Sequence, residues 1–96
     1  MKVRYHAAVQ EDVNRVLRRY DKLSGRLGDE FWEELQACIK VAADNPLRYH
    51  PYVRDLRPCN LRRFPYHFLD RILPDRIRVT AVRHHKQNSQ FGLHRR

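Results

Sequence analysis

Val9, Val13, Val16, Leu17 and Tyr20 recur at three- and four-residue spacing through AVQEDVNRVLRRYDKL, which predicts an amphipathic helix that the SGRLG stretch interrupts or ends. Before it, KVRYH alternates Val3 and Tyr5 with charged or polar neighbours and predicts a short strand with one face buried. After it, Phe31, Leu35, Cys38, Ile39 and Ala42 form a second helical stripe that leaves Glu30, Glu33, Glu34 and Lys40 largely outside and places Cys38 in the core. This helix should stop at Asp44-Asn45-Pro46, because proline biases the residue before it away from helical geometry. Two helices joined by a short turn pack antiparallel. LRYHPYVRDLRPCN then reads as an ordered connection with a short strand around Tyr52 to Leu56.

The last third is β. LRRFPYHFLDRIL and RIRVTAV flank Leu73-Pro74-Asp75-Arg76, where proline and aspartate favour a turn, so a hairpin is predicted. If Ile72 faces Ile77, strand parity puts Tyr66, Phe68, Asp70 and Ile72 on one face with Ile77, Val79 and Ala81. The opposite face carries His67, Leu69 and Arg71 with Arg78, Thr80, Val82 and His84. The first face takes the helices, with Asp70 needing a partner there. The second is too basic to be buried wholesale and is left open for a ligand, with Pro65 marking an edge or irregularity just before His67. The expected fold is α+β: an N-terminal strand, an antiparallel helix hairpin and a three-stranded C-terminal antiparallel sheet, with the helices on one sheet face.

Composition narrows what such a domain can do. Across 96 residues, 20 Lys and Arg stand against 11 Asp and Glu, a formal charge of +9. One domain spanning 1–96 is expected, and its charge attracts polyanions or acidic protein partners. No segment approaches the ~20 apolar residues of a membrane span, and the N-terminus has no signal-peptide pattern, so the expectation is a cytoplasmic protein. Cys38 and Cys59 lack CxxC spacing, which argues against a zinc site or a disulfide framework, and both should be reduced.

The candidate chemistry clusters near the end of the chain, in AVRHHKQ. Adjacent residues on a strand point to opposite faces, so His84 and His85 cannot easily chelate one ion, and neither a metal nor a cofactor is expected. One of the pair, His85, is expected to be buried against the helices or bonded to backbone, leaving His84 exposed. Parity places His67 and His84 on the same open face, where His67 is either a functional group or a surface histidine. At most one of Arg62 and Arg63 reaches that face if their segment is a strand, and the other can pair with a carboxylate such as Glu34. Tyr66 and Phe68 read as core aromatics rather than base-stacking platforms. Glu11, Arg15, Arg18 and Arg19 form a solvated helix face on which an acidic helix could dock.

Taken together, the order strand, helix hairpin, NP stop and C-terminal sheet, with LRRFPYHFLDRI, VTAVRHH and the closing Arg-Arg, resembles the RelE/ParE toxins of bacterial type II toxin–antitoxin pairs, and is closer to the ParE-like branch. The resemblance covers nearly the whole chain. It implies a small basic toxin neutralised by a cognate antitoxin that wraps its surface. RelE-like members cut messenger RNA in the ribosomal decoding site without a metal, whereas ParE-like members inhibit DNA gyrase. Carried over by position, the RelE middle-strand arginine falls at His67, the arginine after the last strand near His85, and the C-terminal tyrosine at Phe91. Phe91 cannot transfer a proton. The tail HHKQNSQFGLHRR also departs from the branch pattern, with Asn88 for a proline and Gly92 for a tryptophan, so that Phe91 is the residue expected to anchor it.

Three functional readings follow. The first is a growth inhibitor held by its antitoxin and acting on gyrase. The second is a ribosome-dependent endoribonuclease in which His67 and His84 or His85 exchange protons while Arg62, Arg63, Arg71, Arg78, Arg83 and Lys86 hold phosphates or the target. The third is a non-toxic basic nucleic-acid-binding module.

Overall fold

The computed structural model describes residues 1–47 and 55–96. Its elements are β1 (Lys2–Tyr5), α1 (Val9–Asp21), α2 (Gly25–Asp44), β2 (Arg57–Asn60), β3 (Tyr66–Ile72) and β4 (Arg76–His84). Most of the connection expected to carry a strand at Tyr52 to Leu56 lies outside the described residues; the strand observed begins at Arg57.

Val9, Val13 and Val16 bury one face of α1, and Leu17 and Tyr20 pack at its margin. Acids in its first turn (Glu11, Asp12) and bases in its last (Arg18, Arg19) match the helix dipole. SGRLG both ends this helix and starts the next. Ser24 is the N-cap of α2, its hydroxyl accepting from the Arg26 amide, so α2 begins at Gly25, well ahead of the apolar stripe. Phe31, Leu35, Ile39, Ala42 and Ala43 are buried, whereas Cys38 is only half-buried; Cys59 is the core thiol. The helix stops before Pro46, with the backbone and side-chain amides of Asn45 both bonded to the Val41 carbonyl.

The sheet has four strands in the order β1-β4-β3-β2, with β1 parallel to β4 and the others antiparallel. The expected three-stranded unit is therefore extended by the N-terminal strand. Val3 is half-buried there, but Tyr5, expected on a buried face, is 52% exposed. The β3–β4 hairpin turns at Leu73–Arg76, and Ile72 does face Ile77.

A β-bulge changes what lies beyond. Asp70 pairs with Val79 and Leu69 with Ala81, so Thr80 is an extra residue on β4 and the side-chain parity of that strand reverses after it. Val82 and His84 turn toward the helices, and Ala81 and Arg83 turn away. Val82 accordingly joins the core of Phe31, Leu35, Phe68, Ile77 and Val79 beneath the helices. Ala81 belongs to a second cluster on the far face, with Leu56, Leu69 and Leu93.

That far face is not open, contrary to the sequence-based expectation. The tail crosses it, with Leu93 buried as the anchor. Phe91 is half-buried instead, its ring flanked by the guanidinium groups of Arg15 (5.6 Å) and Arg95 (4.8 Å). Gly92 permits the crossing: its φ is +78°, and a Cβ there would lie 2.8 Å from that of Ala81. Asp70 finds the partner it needed in Arg57 on β2, through a bidentate pair with both contacts at 2.6 Å.

Candidate functional site

The reversed parity separates residues that alternation alone would group. Tyr66 pairs with His84 and His67 with Arg83, so His67 and His84 occupy opposite faces of the sheet. The expectation that His67, Arg78 and His84 turn outward together is thereby overturned for His84, and Arg83 takes its place.

On the far face, Pro58, Asn60, His67, Arg83, His85 and Ser89 are among the residues lining a shallow cleft of about 250 Å³. Arg83 is buried at 5% exposure; its Nε donates to His67 Nε2 at 2.8 Å and its Nη1 to the tail carbonyls of Ser89 and Phe91. Because arginine can only donate, His67 Nε2 accepts and its proton sits on Nδ1. That proton points at His85 Nδ1, 2.9 Å away. The two rings are within 11° of parallel with centroids 5.2 Å apart. Since the nitrogens lie far closer than the centroids, the rings meet edge to edge through a hydrogen bond rather than stacking. His85 then carries its proton on Nε2, toward solvent.

Both nitrogens of His67 are thus engaged. A ring pair whose lone pair and proton point at each other has no converging position for a metal, and among the described residues no three His, Cys, Asp or Glu could hold one. His85, expected to be the buried member of its pair, is exposed, and its link to backbone is its own amide donating to the Pro65 carbonyl. His84 is half-buried against the Tyr66 ring, 4.9 Å away.

Burial, then the charge of Arg83, then His85 and His84 hold the ionisation of His67 down from 6.5 to about 4. The unfolded chain therefore binds this proton at a higher pH than the folded one. The stabilisation it provides is complete above the unfolded value and is lost as the pH falls toward the folded one. We expect the unfolding free energy to drop by about 1–3 kcal/mol more between roughly pH 7 and pH 4.5 in the wild type than in His67→Gln. Urea titrations across that range measure it, and identical slopes would contradict the assignment.

On the helix side, Arg15, Val16, Arg19, Tyr66, His84 and Lys86 are among the residues around a second cleft of about 400 Å³. His84 Nδ1 accepts from the Lys86 amide, which makes His84 a neutral donor at Nε2. Burial, Arg19, His85 and Lys86 lower its pKa. Beside this cleft lies a larger concavity, about 790 Å³, whose apolar lining includes Val3, Tyr5, Val13, Trp32, Leu35 and Ile39. Val82 borders both.

The remaining sequence candidates are spread out. Arg71 and Arg78 face each other near the hairpin turn, and Arg78 Nε bonds the backbone oxygen of Arg96. Arg62 and Arg63 lie in the bend before β3, not in a strand. Their amides bond the Glu34 carboxylate and the Arg63 side chain pairs with Glu30, so they fasten the bend to α2.

Sequence reasoning missed Asp12 and Arg95. Asp12 is 1% exposed, accepts the Val82 amide at 3.0 Å and holds Arg95, which also donates to the Thr80 carbonyl. These contacts cap the part of β4 that extends past its pairing with β1. One signal was available: Asp12 lies three residues after Val9 and four before Val16, within the buried stripe. Cys59 is no nucleophile, since burial pushes its thiol up to about 12.

A family model described as the ParE toxin of the type II toxin–antitoxin system, parDE, matches residues 3–89. The chain belongs to this family. It is therefore a RelE/ParE-superfamily toxin of the ParE-like branch, with a cognate antitoxin as its partner. A search of the curated proteins gave no match. Among solved structures, the toxin is similar to a chain of the chromosomal ParDE toxin–antitoxin system from P. aeruginosa, with 17% identity and a TM-score of 0.76, covering 88% of this chain and 95% of that one. At that identity the likeness shows the shared fold. The α+β architecture of strand, helix hairpin and antiparallel sheet agrees with the toxin assignment, and among the described residues no helix is long and apolar enough to cross a membrane.

Proposed function

We propose that this toxin arrests growth by binding a macromolecular target in the cytoplasm, with DNA gyrase the leading candidate, and that its antitoxin silences it by laying an apolar segment along the groove between β1 and the helices. The observation that carries the first half is the separation of His67 from His84. Cleavage of RNA by the 2′-hydroxyl needs one group to take a proton and another to give one, both within reach of the same phosphate. His84 is on the other side of the sheet, and His67 spends both nitrogens on Arg83 and His85. Of these three histidines, His85 alone keeps a solvent-facing nitrogen on the far face, next to a buried arginine that is itself holding the tail.

The groove supports the second half. Trp32 at 42% and Tyr5 at 52% exposure are large apolar side chains turned to solvent on its rim, the kind of surface that a permanent partner covers. The charge of +9 favours rapid capture by an acidic partner.

Inducible expression of the chain alone and with its neighbouring reading frame tests the proposal. The expected result is growth arrest relieved by the neighbour, with a DNA-damage response and no codon-positioned transcript ends. Such ends, lost in His85→Ala, would replace it with the nuclease reading. Absence of arrest would favour a non-toxic nucleic-acid-binding module.

A further inference from the structure

We infer that the helix-side cleft walled by Arg15, Arg19, His84 and Lys86 is a carboxylate-binding site for the antitoxin, placed so that one segment of that partner fills the apolar groove and sets an acidic side chain in the cleft. The inference rests on the groove being the antitoxin's seat, as proposed above, and adds a second, polar anchor to it.

The chemistry of the cleft is one-sided. Among the described residues neither Arg19 nor Lys86 has a carboxylate partner, and the only acid on the wall, Asp12, is occupied by Arg95 and the Val82 amide. Arg15 reaches Asp12 only at 3.8 Å and is 51% exposed. His84, with Nδ1 taken by the Lys86 amide, offers the cleft a donor. A ligand here must accept hydrogen bonds and carry negative charge.

Continuity with the groove decides between a peptide and a nucleic acid. Val82 lines both concavities, and α1 walls both in succession, with Val9 and Val13 in the groove and Val16 and Arg19 in the cleft. A partner covering both must bring aliphatic or aromatic side chains and an anion on one strand. A nucleic acid supplies phosphates but no aliphatic side chains to match a groove lined by Val3, Val13, Leu35 and Ile39. Inside the cleft no base can stack on Tyr66, which lies 4% exposed with its ring against His84 and Phe31. From Val13 to Arg19, α1 rises by about 9 Å. Roughly three residues of extended chain, or six of helix, therefore separate the partner's apolar anchor from its acid.

The chain contains one tryptophan, Trp32, on the groove wall, so biosynthetic labelling with 5-fluorotryptophan gives a single fluorine signal that reports groove filling. The full-length toxin is titrated with the purified product of the neighbouring antitoxin reading frame at two salt concentrations, as wild type, as Arg19→Gln/Lys86→Gln and as the control Lys22→Gln/Arg26→Gln. The expected result is a fluorine shift in all three, with affinity about tenfold weaker and less salt-dependent only in the cleft variant. A fluorine shift with equal affinity in the cleft and control variants would overturn the carboxylate site while leaving the groove intact. Tight binding without a fluorine shift would overturn the groove reading and this inference with it. A DNA or RNA oligonucleotide whose binding depends on Arg19 and Lys86, while the antitoxin's does not, would reassign the cleft to phosphate.

Discussion

Asp70→Ala is expected to lower the unfolding free energy by about 3–5 kcal/mol. Arg57 and Asp70 are 1% and 0% exposed and sit opposite each other on β2 and β3, joined by two contacts of 2.6 Å. The Arg57 Nη1 donates to the Pro46 carbonyl, so the same guanidinium also ties the end of α2 to the sheet. Removing the carboxylate leaves a buried cation facing a cavity, which costs far more than the intact pair gains over an apolar core. Against a total stability of roughly 5–15 kcal/mol, such a loss removes between about a fifth and all of the margin. Arg57→Met with Asp70→Leu should recover most of it, because neither charge is then buried alone. Urea titration followed by circular dichroism measures all three variants. A cost under about 1 kcal/mol for Asp70→Ala would show that the guanidinium reaches water, contradicting the packing described.

Asp12→Ala is expected to cost about 2–4 kcal/mol and to free the tail. Its carboxylate joins three parts of the chain: α1 that carries it, the Val82 amide at the uncovered edge of β4, and Arg95, 83 residues away. Without it the Val82 amide is buried and unsatisfied, and Arg95 keeps only the Thr80 carbonyl and the Phe91 ring. Hydrogen exchange separates these losses. Protection of the Val82 amide should fall by one to two orders of magnitude relative to the unchanged core amides of β3, while Asp12→Asn, which retains an acceptor, should keep much of it. Unaltered exchange at Val82 in the alanine variant would mean that the cap contributes nothing.

The helices were legible because their apolar residues repeat at helical spacing and because the SGRLG stretch and Pro46 mark where each one ends. The hairpin was legible because Pro74 and Asp75 mark its turn and place Ile72 opposite Ile77. Parity failed at Thr80, where no glycine or proline announces the bulge. The one trace of it in the sequence is that Val79, Ala81 and Val82 are all apolar, which strict alternation cannot accommodate on one buried face. That single extra residue moved His84 to the helix side and brought Arg83 beside His67, so the site was misread by one position although the strand itself was placed correctly. Asp70 could be recognised as a buried acid in need of a partner, but pattern alone could not name Arg57, thirteen residues away across a connection. The tail was hardest. Leu93 and Phe91 are both apolar in an otherwise polar tail, and the burial of Leu93 rather than Phe91 depends on Gly92 passing over Ala81, a contact no local periodicity encodes.

The same bulge bears on mechanism. Alternation without the bulge would leave His67 and His84 free on one face as a proton-transfer pair, whereas the bulge leaves His67 beside His85 with both of its ring nitrogens engaged. With Thr80 looped out, His67 serves to position Arg83 and through it the tail, whose carbonyls at Ser89 and Phe91 complete the guanidinium's bonds.

Supercoiling of relaxed plasmid by purified DNA gyrase, with the toxin added alone or after mixing with its antitoxin, tests the proposed mode of action most directly. The expected outcome is inhibition by the free toxin that the antitoxin abolishes, while messenger RNA in a translating extract given the same toxin stays intact. Full supercoiling activity in the presence of the toxin, together with transcripts cut at defined codon positions, would contradict it.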